Sequence, residues 1–423
     1  MVARVITEGV LERKSGIAVG PGQPVWALGF MTGTSMDGVD AATVLTDGEN
    51  IEMFGASVSA PFNEAQTETL RRAIDWSAAH WPTNDKLRNK TDLRDIAELR
   101  EADNVLSESH ASATEALHAV FCAAPDMDAP EWQRRVFEQD EQIEIMGFHG
   151  QTVLHRPDDG YTLQIGDASR LAEASWFDAP VVHDFRSEDV AAGGQGAPLA
   201  PFYHFALAKL IGATAPLAFL NIGGVGNVTW VDPSRALPED EGALLAFDTG
   251  PGNALVNDWM LGQSGLSMDM DGAAAGAGRV HRARLKSNWG REYLAKPGPK
   301  SLDRNDFHGV LGAMRGLSVN DGAATLTQYT VDCVAANLRH MPSPPSRWLV
   351  CGGGRLNPVM MHMLAERLEA PVEPVEAVGL DGDMLEAQAF AYLAVRVLRG
   401  LPTSAPSTTG CQRPICGGVV TSP

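Results

Sequence analysis

Three short apolar segments run directly into glycine clusters, and this repeated arrangement constrains the fold more than any other feature of the sequence. Each segment has the length of a β-strand, and the glycines begin within two residues of its end. Because glycine carries no Cβ, its backbone N–H groups can approach a ligand closely, and open α/β sheets bind ligands at strand ends. The segments are residues 26–31, 217–222 and 347–351, followed by glycines at 33, 223–224 and 352–354.

Segments typical of strands alternate with segments typical of helices along the chain. Residues 384–398 form a strongly apolar helical segment, and Asn63 with Gln66 three residues later predicts a capping box that opens a helix. This alternation predicts an α/β fold with mostly buried sheets. The strand–glycine–strand segments 26–45 and 217–231 have the same form, which suggests an internal duplication at the level of architecture.

The length of the chain indicates two domains, because 423 residues exceed one ordinary compact core. The predicted domains span residues 25–185 and 186–423, and the final segment is expected to pack back on the first domain. Residues 1–24 are predicted to be a flexible leader, since they end in a linker-like stretch rich in glycine and proline.

The charge of the chain excludes several classes of partner. Acidic residues outnumber basic residues by 53 to 33, which gives a net charge of −20 and disfavours nucleic acids and anionic membranes. A phosphate-bearing ligand must therefore be held by backbone N–H groups, helix N-termini or a divalent cation. The five irregularly spaced cysteines suit reduced thiols, and no signal-peptide or membrane-spanning pattern occurs, so we expect a cytoplasmic protein.

The turn from Gly33 to Asp40 has the composition of a phosphate-binding turn. Its backbone N–H groups can approach a polyphosphate, and the hydroxyls of Thr34 and Ser35 can add hydrogen bonds. Asp37 would repel a phosphate, so it is better suited to orienting Mg²⁺ or the water molecules of that ion. An ordinary hairpin turn is the alternative on this motif alone.

Two further glycine clusters complete a nucleotide-binding pattern. Gly223 and Gly224 belong to a second candidate phosphate turn, and Gly352 and Gly353 form a flat surface for a nucleotide base. Residues 221–227 and 248–253 do not form Walker A loops, and no dinucleotide fingerprint occurs. Taken alone, the Gly223–Gly224 cluster could be a hairpin without a ligand, and the Gly352–Gly353 cluster could be a flexible connector. Their order along the chain is typical of the actin/hexokinase-type ATPase fold, which predicts ATP in a cleft between two lobes.

Asp184 is the candidate general base. It follows a buried strand and precedes a glycine-rich loop, and Arg186 is close enough in sequence to hold its carboxylate ionised. The alternatives are a structural ion pair with Arg186 and a helix cap. His149 could bond a sugar, although a structural role is the alternative. Glu386 lies among apolar neighbours and must find a partner or face the cleft.

Eight motifs, in order from about residue 26 to about residue 410, resemble the anhydro-N-acetylmuramic acid kinase family of the actin/hexokinase-type superfamily. The density of these matches, and no single motif, makes the resemblance specific. The motifs are Phe30–Asp40, Phe148–Thr152, Leu163–Asp167, Asp184–Ser187, Gly193–Pro198, Leu220–Gly224, Phe247–Asn253 and Glu386–Ala391.

The resemblance implies two actin-like (ribonuclease H-like) lobes with a central interlobe cleft, and a homodimer. It implies an enzyme that uses ATP and Mg²⁺ to convert 1,6-anhydro-N-acetylmuramic acid to N-acetylmuramic acid 6-phosphate during peptidoglycan recycling. Water would attack the anomeric carbon, the anhydro bridge would open, and the freed O6 would take the γ-phosphoryl group. The remaining alternatives are a kinase of another amino sugar or hexose, an actin- or chaperone-like ATPase, and a sugar-binding protein or glycosidase without ATP.

The resemblance and the residue chemistry above together assign roles to individual residues. Asp184 matches the catalytic aspartate that would deprotonate the water, and Glu386 matches an active-site glutamate. The metal is assigned to Asp37. Substrate contacts are assigned to His149, Gln151, Arg186 and Asn253. Nucleotide contacts are assigned to Gly33, Thr34, Ser35, Met36, Asp37, Gly38, Val39, Asp40, Gly223, Gly224, Gly352 and Gly353.

Overall fold

The computed structural model describes residues 22–33, 36–286, 290–302 and 306–423. Most of the predicted leader, together with Thr34 and Ser35, lies outside the described residues. Among the helices of the described chain, none has the length and apolar character needed to cross a membrane.

The chain divides into two compact units. The first contains the described chain up to Ala206 together with Glu386–Ala405 and Cys411–Pro423, and the second contains Leu207–Leu385 and Pro406–Gly410. The predicted boundary between residues 185 and 186 differs from this division. Residues just after it bond within the first unit, as Arg186 does to His149.

The first unit is built on a six-stranded sheet with the order β13-β7-β4-β1-β2-β3. Strands β1, β2 and β3 pair antiparallel, β4 and β7 continue in parallel from β1, and β13 pairs antiparallel with β7. A separate hairpin joins β5 and β6. The strands are β1 (Val25–Met31), β2 (Gly38–Thr46), β3 (Ile51–Pro61), β4 (Ile143–Phe148), β5 (Gln151–Arg156), β6 (Tyr161–Ile165), β7 (Val181–His183) and β13 (Val419–Thr421).

The second unit repeats this topology with five strands in the order β10-β9-β8-β11-β12. Strands β8, β9 and β10 pair antiparallel, and β11 and β12 continue in parallel from β8. The shared order confirms the predicted duplication at the level of architecture. These strands are β8 (Leu217–Ile222), β9 (Val225–Val231), β10 (Leu244–Pro251), β11 (Trp348–Cys351) and β12 (Val372–Pro374).

Helices cover both sheets, which confirms the α/β prediction. The predicted capping box is present: Asn63 accepts from the backbone of Gln66, whose side chain accepts from the backbone of Asn63. The helices are α1 (Glu64–His80), α2 (Asp85–Asn89), α3 (Ala97–Phe121), α4 (Glu131–Gln139), α5 (Ala168–Ala174), α6 (Ser187–Ala191), α7 (Pro201–Leu210), α8 (Ala254–Ser264), α9 (Ala273–Ala277), α10 (Arg291–Ala295), α11 (Val310–Ala313), α12 (Val319–Ala336), α13 (Pro358–Leu368), α14 (Leu385–Leu398) and α15 (Pro406–Thr409).

A pair of strand glycines brings α14 onto the sheet of the first unit. Gly29 of β1 is the register partner of Gly147 of β4. A Cβ built on Gly29 would lie 1.9 Å from the carbonyl oxygen of Ala387, and one on Gly147 would lie 2.1 Å from that of Phe390. Helix and sheet therefore meet backbone to backbone, which only glycine allows. This contact places the first turn of α14, and with it Glu386.

Candidate functional site

Asp184 directly follows β7 and has a left-handed backbone conformation, with φ of 51°. This conformation is uncommon for a residue other than glycine and is concentrated at functional sites. The Ser187 hydroxyl donates to Oδ1 of Asp184 over 2.6 Å, and Nζ of Lys90 donates to the same hydroxyl over 2.9 Å. One carboxylate oxygen is thus held in place by a hydroxyl that is itself oriented by an ammonium group.

Arg186 uses its three guanidinium nitrogens on partners other than Asp184. Nη2 and Nε lie 2.8 and 3.2 Å from Nε2 of His149, and Nη1 donates to the carbonyl of Gly196 over 2.8 Å. The ion pair considered between Asp184 and Arg186 therefore does not form in this structure. Asp184 accepts a hydrogen bond from Ser187, and Arg186 bonds to His149 and Gly196. Burial lowers the pKa of Arg186 to about 10, whereas the carboxylates of Glu386 and Asp189 act in the opposite direction.

His149 lies at the end of β4 as a buried neutral imidazole. Nδ1 lies 2.6 Å from the carbonyl of Gly150, so the hydrogen-bond network assigns the proton to Nδ1 and leaves Nε2 to accept from Arg186. Burial, and then the charge of Arg186, lower the pKa of His149 to about 3. Both ring nitrogens are used within the protein, and the ring packs against Phe390 with centroids 4.8 Å apart. In this structure His149 supports Arg186, and its predicted contact with a sugar stays a prediction.

Glu386 lies in the first turn of α14, where its side chain is accessible to solvent but surrounded by protein atoms. Desolvation raises the pKa of Glu386, the charge of Arg186 lowers it, and the carboxylates of Asp40 and Asp37 raise it again. The structure therefore brings Glu386, Arg186 and the two aspartates within electrostatic range of one another. Asp37 and Asp40 are the carboxylates of this site that are suited to binding a divalent cation.

These carboxylates do not form a closed metal site. Within the described ranges, no group of three His, Cys, Asp or Glu residues is arranged to hold a metal ion. Asp40 also accepts from the hydroxyl of Ser59 over 2.6 Å. A Mg²⁺ ion here would therefore keep most of its waters or take phosphate oxygens, as this ion commonly does.

The glycine turn of the first unit is held by one backbone hydrogen bond within the turn and by another from the residue that follows β3. Met36 has a left-handed backbone with φ of 54°, and its N–H donates to the carbonyl of Gly33 over 3.1 Å. The backbone of Asp37 accepts from Phe62 over 2.9 Å. Gly38, Val39 and Asp40 already belong to β2, and the side chain of Val39 is fully buried. The whole of Val39 is buried and it pairs with Ala60 of β3, so its assigned nucleotide contact stays a prediction.

Gln151 opens β5 with its side chain buried. Its Nε2 lies 3.4 Å from the carbonyl of Thr152, and its Oε1 has no hydrogen-bond partner among the residues that the structure describes. Thr32, just before the glycine turn, donates to the carbonyl of Gly150 over 3.2 Å. The turn and the 148–152 motif are therefore neighbours in the first unit.

In the second unit, the two glycine clusters and Asn253 converge. The backbone of Asn253 donates to Gly223 over 2.7 Å, and its side chain donates to Ile222 over 3.1 Å. A Cβ on Gly353 would lie 3.7 Å from Nδ2 of Asn253, whereas one on Gly224 would meet nothing within 4 Å. Gly352 has a φ of 69°. These glycines thus form a joined backbone surface beside the N-terminus of α8, with open space above Gly224.

Sequence reasoning missed several polar residues around Asp184 and Arg186. They are Lys90, which acts on Asp184 through Ser187, and Asp189 and Ser404, which hold the loop behind Arg186. Ser187 is noted above only as the end of the Asp184–Ser187 motif, without its role of orienting Asp184. A Ser three residues after a catalytic Asp gives no sequence signal of its own, and Ser404 is 215 positions away from Asp189. Only the folded chain brings these residues together.

The two sheets define the class of protein. Each has three antiparallel strands followed by strands in parallel, which is the ribonuclease H-like order, and each has glycine turns at its strand ends. A duplicated pair of such sheets is the architecture of the actin/hexokinase-type superfamily, as the motifs predicted.

Comparison with known proteins gives the family within that class. The family model described as anhydro-N-acetylmuramic acid kinase matches residues 25–423. An anhydro-N-acetylmuramic acid kinase of Ruegeria sp. (strain TM1040) is 50% identical over 408 residues, which cover 96% of this chain and 98% of the relative. One of Roseobacter denitrificans is 48% identical and covers 95% of each chain. One of Rhodospirillum rubrum is 46% identical and covers 93% of each chain. The chain therefore belongs to the anhydro-N-acetylmuramic acid kinase family, and the resemblance of its motifs is confirmed.

Proposed function

We propose that this chain is an ATP-dependent kinase that hydrolytically opens the 1,6-anhydro ring of anhydro-N-acetylmuramic acid and phosphorylates O6. The product is N-acetylmuramic acid 6-phosphate. The relatives named for this activity and matched over nearly the whole chain support the proposal. The observation on which the mechanism rests is Asp184, held in a left-handed conformation at the end of β7 with one oxygen bonded to Ser187.

The proposed ring opening begins with Asp184. Its Oδ1 is engaged by Ser187, so Oδ2 is the oxygen that would accept a proton from the attacking water. As the water oxygen bonds to the anomeric carbon, the bond from that carbon to O6 breaks, and O6 keeps the electron pair. This displacement needs a base on the face opposite the leaving oxygen, as in inverting glycoside hydrolysis.

The proposed phosphoryl transfer follows at O6, which bonds to the γ-phosphorus while the bond to the β,γ-bridging oxygen breaks and ADP leaves. Such transfers need positioning and charge neutralisation more than covalent chemistry. Arg186 supplies a fixed positive charge beside Glu386, and the Gly223–Gly224 and Gly352–Gly353 backbone offers a surface for the nucleotide. When bound, Mg²⁺ would neutralise phosphate charge, and Asp37 and Asp40 are the carboxylates that would orient its waters.

The test of the proposed base is Asp184→Asn. Since the amide cannot accept the proton, we expect kcat to fall by about 10²- to 10⁴-fold while ATP binding and the fold are retained. Turnover would be measured with anhydro-N-acetylmuramic acid and ATP, and ATP binding by calorimetry. The matched control is Asp178→Asn, because Asp178 also has a left-handed backbone, with φ of 46°, and is exposed outside the site. Wild-type turnover in Asp184→Asn would remove this residue from the mechanism.

The substrate and the order of bonds would be tested by product analysis in ¹⁸O-labelled water. We expect solvent oxygen at the anomeric position and phosphate on O6. Phosphorylation of a simple hexosamine in preference to the anhydro sugar would indicate another sugar kinase. Equal ATP hydrolysis with and without sugar would indicate an actin- or chaperone-like ATPase.

We also propose that the enzyme acts in the cytoplasm as a homodimer. The five irregularly spaced cysteines, which suit reduced thiols, support the first statement, and the family resemblance supports the second. Light scattering coupled to size-exclusion chromatography tests the dimer, since a monomeric mass at all concentrations contradicts it.

A further inference from the structure

Asp189 of α6 is a buried carboxylate that the proposed mechanism does not use. Its exposed fraction is 1%. Oδ2 accepts from the backbone N–H of Gly196 over 2.7 Å, and Oδ1 accepts from the hydroxyl of Ser404 over 2.5 Å. A buried carboxylate retained with such partners organises the groups that bond to it.

The loop that follows α6 is shaped around this carboxylate. The N–H of Gly194 donates to the Asp189 carbonyl over 2.8 Å, and a Cβ on Gly194 would lie 2.2 Å from Oδ2 of Asp189. Gly196 has a φ of 66°, and a Cβ there would lie 2.7 Å from Cγ2 of Val190. The loop therefore has little freedom to settle elsewhere while the carboxylate is present.

Gly196 connects Asp189 to the site. Its N–H is held by Asp189, and its carbonyl accepts from Nη1 of Arg186 over 2.8 Å. The other end of the Arg186 guanidinium is held by Nε2 of His149. Arg186 is thus clamped between a loop carbonyl and an imidazole while its charge acts on Glu386.

We propose that Asp189 is a positioning residue: it fixes Gly196, and through Gly196 it holds Arg186 against His149 and toward Glu386. The link to catalysis rests on the proposed function, whereas the link from Asp189 to His149 is a property of the unliganded protein. The two parts can be tested separately.

The structural test is ¹⁵N NMR of histidine-labelled protein without ligands. In wild type, Nε2 of His149 accepts a hydrogen bond from Arg186. In Asp189→Ala we expect its resonance to move to higher frequency, because a ring nitrogen that loses a hydrogen bond is deshielded. Asp189→Asn keeps an oxygen for the N–H of Gly196, so its resonance should stay near the wild-type position. An unchanged resonance in folded Asp189→Ala would overturn the proposal.

The matched control is Asp269→Ala in the second unit. Asp269 has an exposed fraction of 9%, and its carboxylate accepts from the backbone of Ala274 and Ala275 over 2.7 and 2.9 Å. Its loss removes the same kind of contact, and the His149 resonance should not move. Should Asp189→Ala not fold, Gly196→Ala displaces the same loop without changing the carboxylate. It should move the resonance in the same direction, and no movement would overturn the proposal.

The catalytic test compares kcat and KM in the same variants. In Asp189→Ala, the misplaced Arg186 should lower kcat by about 10- to 100-fold, with a smaller change in KM for ATP. Asp189→Asn should retain most of the wild-type kcat. Unchanged kcat with a shifted His149 resonance would overturn the link to catalysis. Absence of kinase activity in the wild-type protein would instead contradict the proposed function and leave the resonance test unaffected.

Discussion

Three histidines of the first unit are buried as neutral imidazoles. Burial lowers the pKa of His110 to about 4, and burial lowers the pKa of His149 and of His204 to about 3. The ordinary pKa of a histidine is 6.5, so below that pH these three side chains bind fewer protons in the folded state than in the unfolded state. Each imidazole therefore contributes stability that is present above pH 6.5 and is lost as the pH falls toward the folded-state value.

We predict that His110→Gln reduces the loss of stability in acid. His110 has an exposed fraction of 1% and packs edge-on against Phe30 and Phe148. Its titration should contribute up to about 1.4 kcal/mol per pH unit to the fall in unfolding free energy below pH 6.5. Urea unfolding between pH 7 and pH 5 measures that slope. The exposed control His362→Gln should leave it unchanged, and an equal slope in both variants would contradict the prediction.

At the scale of elements, the contact of α14 with β1 and β4 has no tolerance for a side chain. Gly147→Ala should lower the unfolding free energy by at least about 1–3 kcal/mol, because the methyl group would overlap the Phe390 carbonyl. Urea unfolding and turnover would both be measured, since a displaced α14 also displaces Glu386. The matched control is Gly262→Ala in α8, where a Cβ would meet nothing within 4 Å. This control should gain about 0.5–1 kcal/mol, and an equal loss in both variants would contradict the prediction.

The elements that sequence predicts best are those determined by local patterns. The hairpins of β1 with β2 and of β8 with β9 follow from apolar segments ending in glycines, and the Asn63 capping box follows from spacing alone. Gly29 and Gly147 are equally visible in the sequence. Their role in the contact with α14 cannot be predicted, because a glycine in a strand does not show which element approaches it. The network from Asp189 to Ser404 needs contacts between distant segments, so no local pattern could predict it.

At the scale of the whole molecule, the net charge of −20 opposes the approach of a nucleotide polyphosphate. The repulsion acts at long range and is screened by salt, with a Debye length of about 30 Å at 0.01 M and about 10 Å at 0.1 M. Salt screens the interactions between charges within the site far less than it screens this long-range repulsion. The charge of the whole chain should therefore affect the capture of ATP more than the chemical step.

We predict that kcat/KM for ATP rises several-fold as ionic strength increases from about 0.01 to about 0.1 M, with free Mg²⁺ held constant. Saturating kcat should change little over the same series. Potassium chloride and potassium glutamate would be compared as salts, since screening predicts the same rise with both. A monotonic fall in kcat/KM would show that local cations dominate ATP capture.

The backbone contact at Gly29 and Gly147 has a consequence for ligand design. At these two positions no side chain separates the strands from the helix, so β1, β4 and α14 are held in a fixed register. Gly33 follows β1 and Glu386 lies in the first turn of α14, so this contact sets the position of both. A small molecule complementary to Gly33 and Glu386 would gain affinity from matching a preformed geometry.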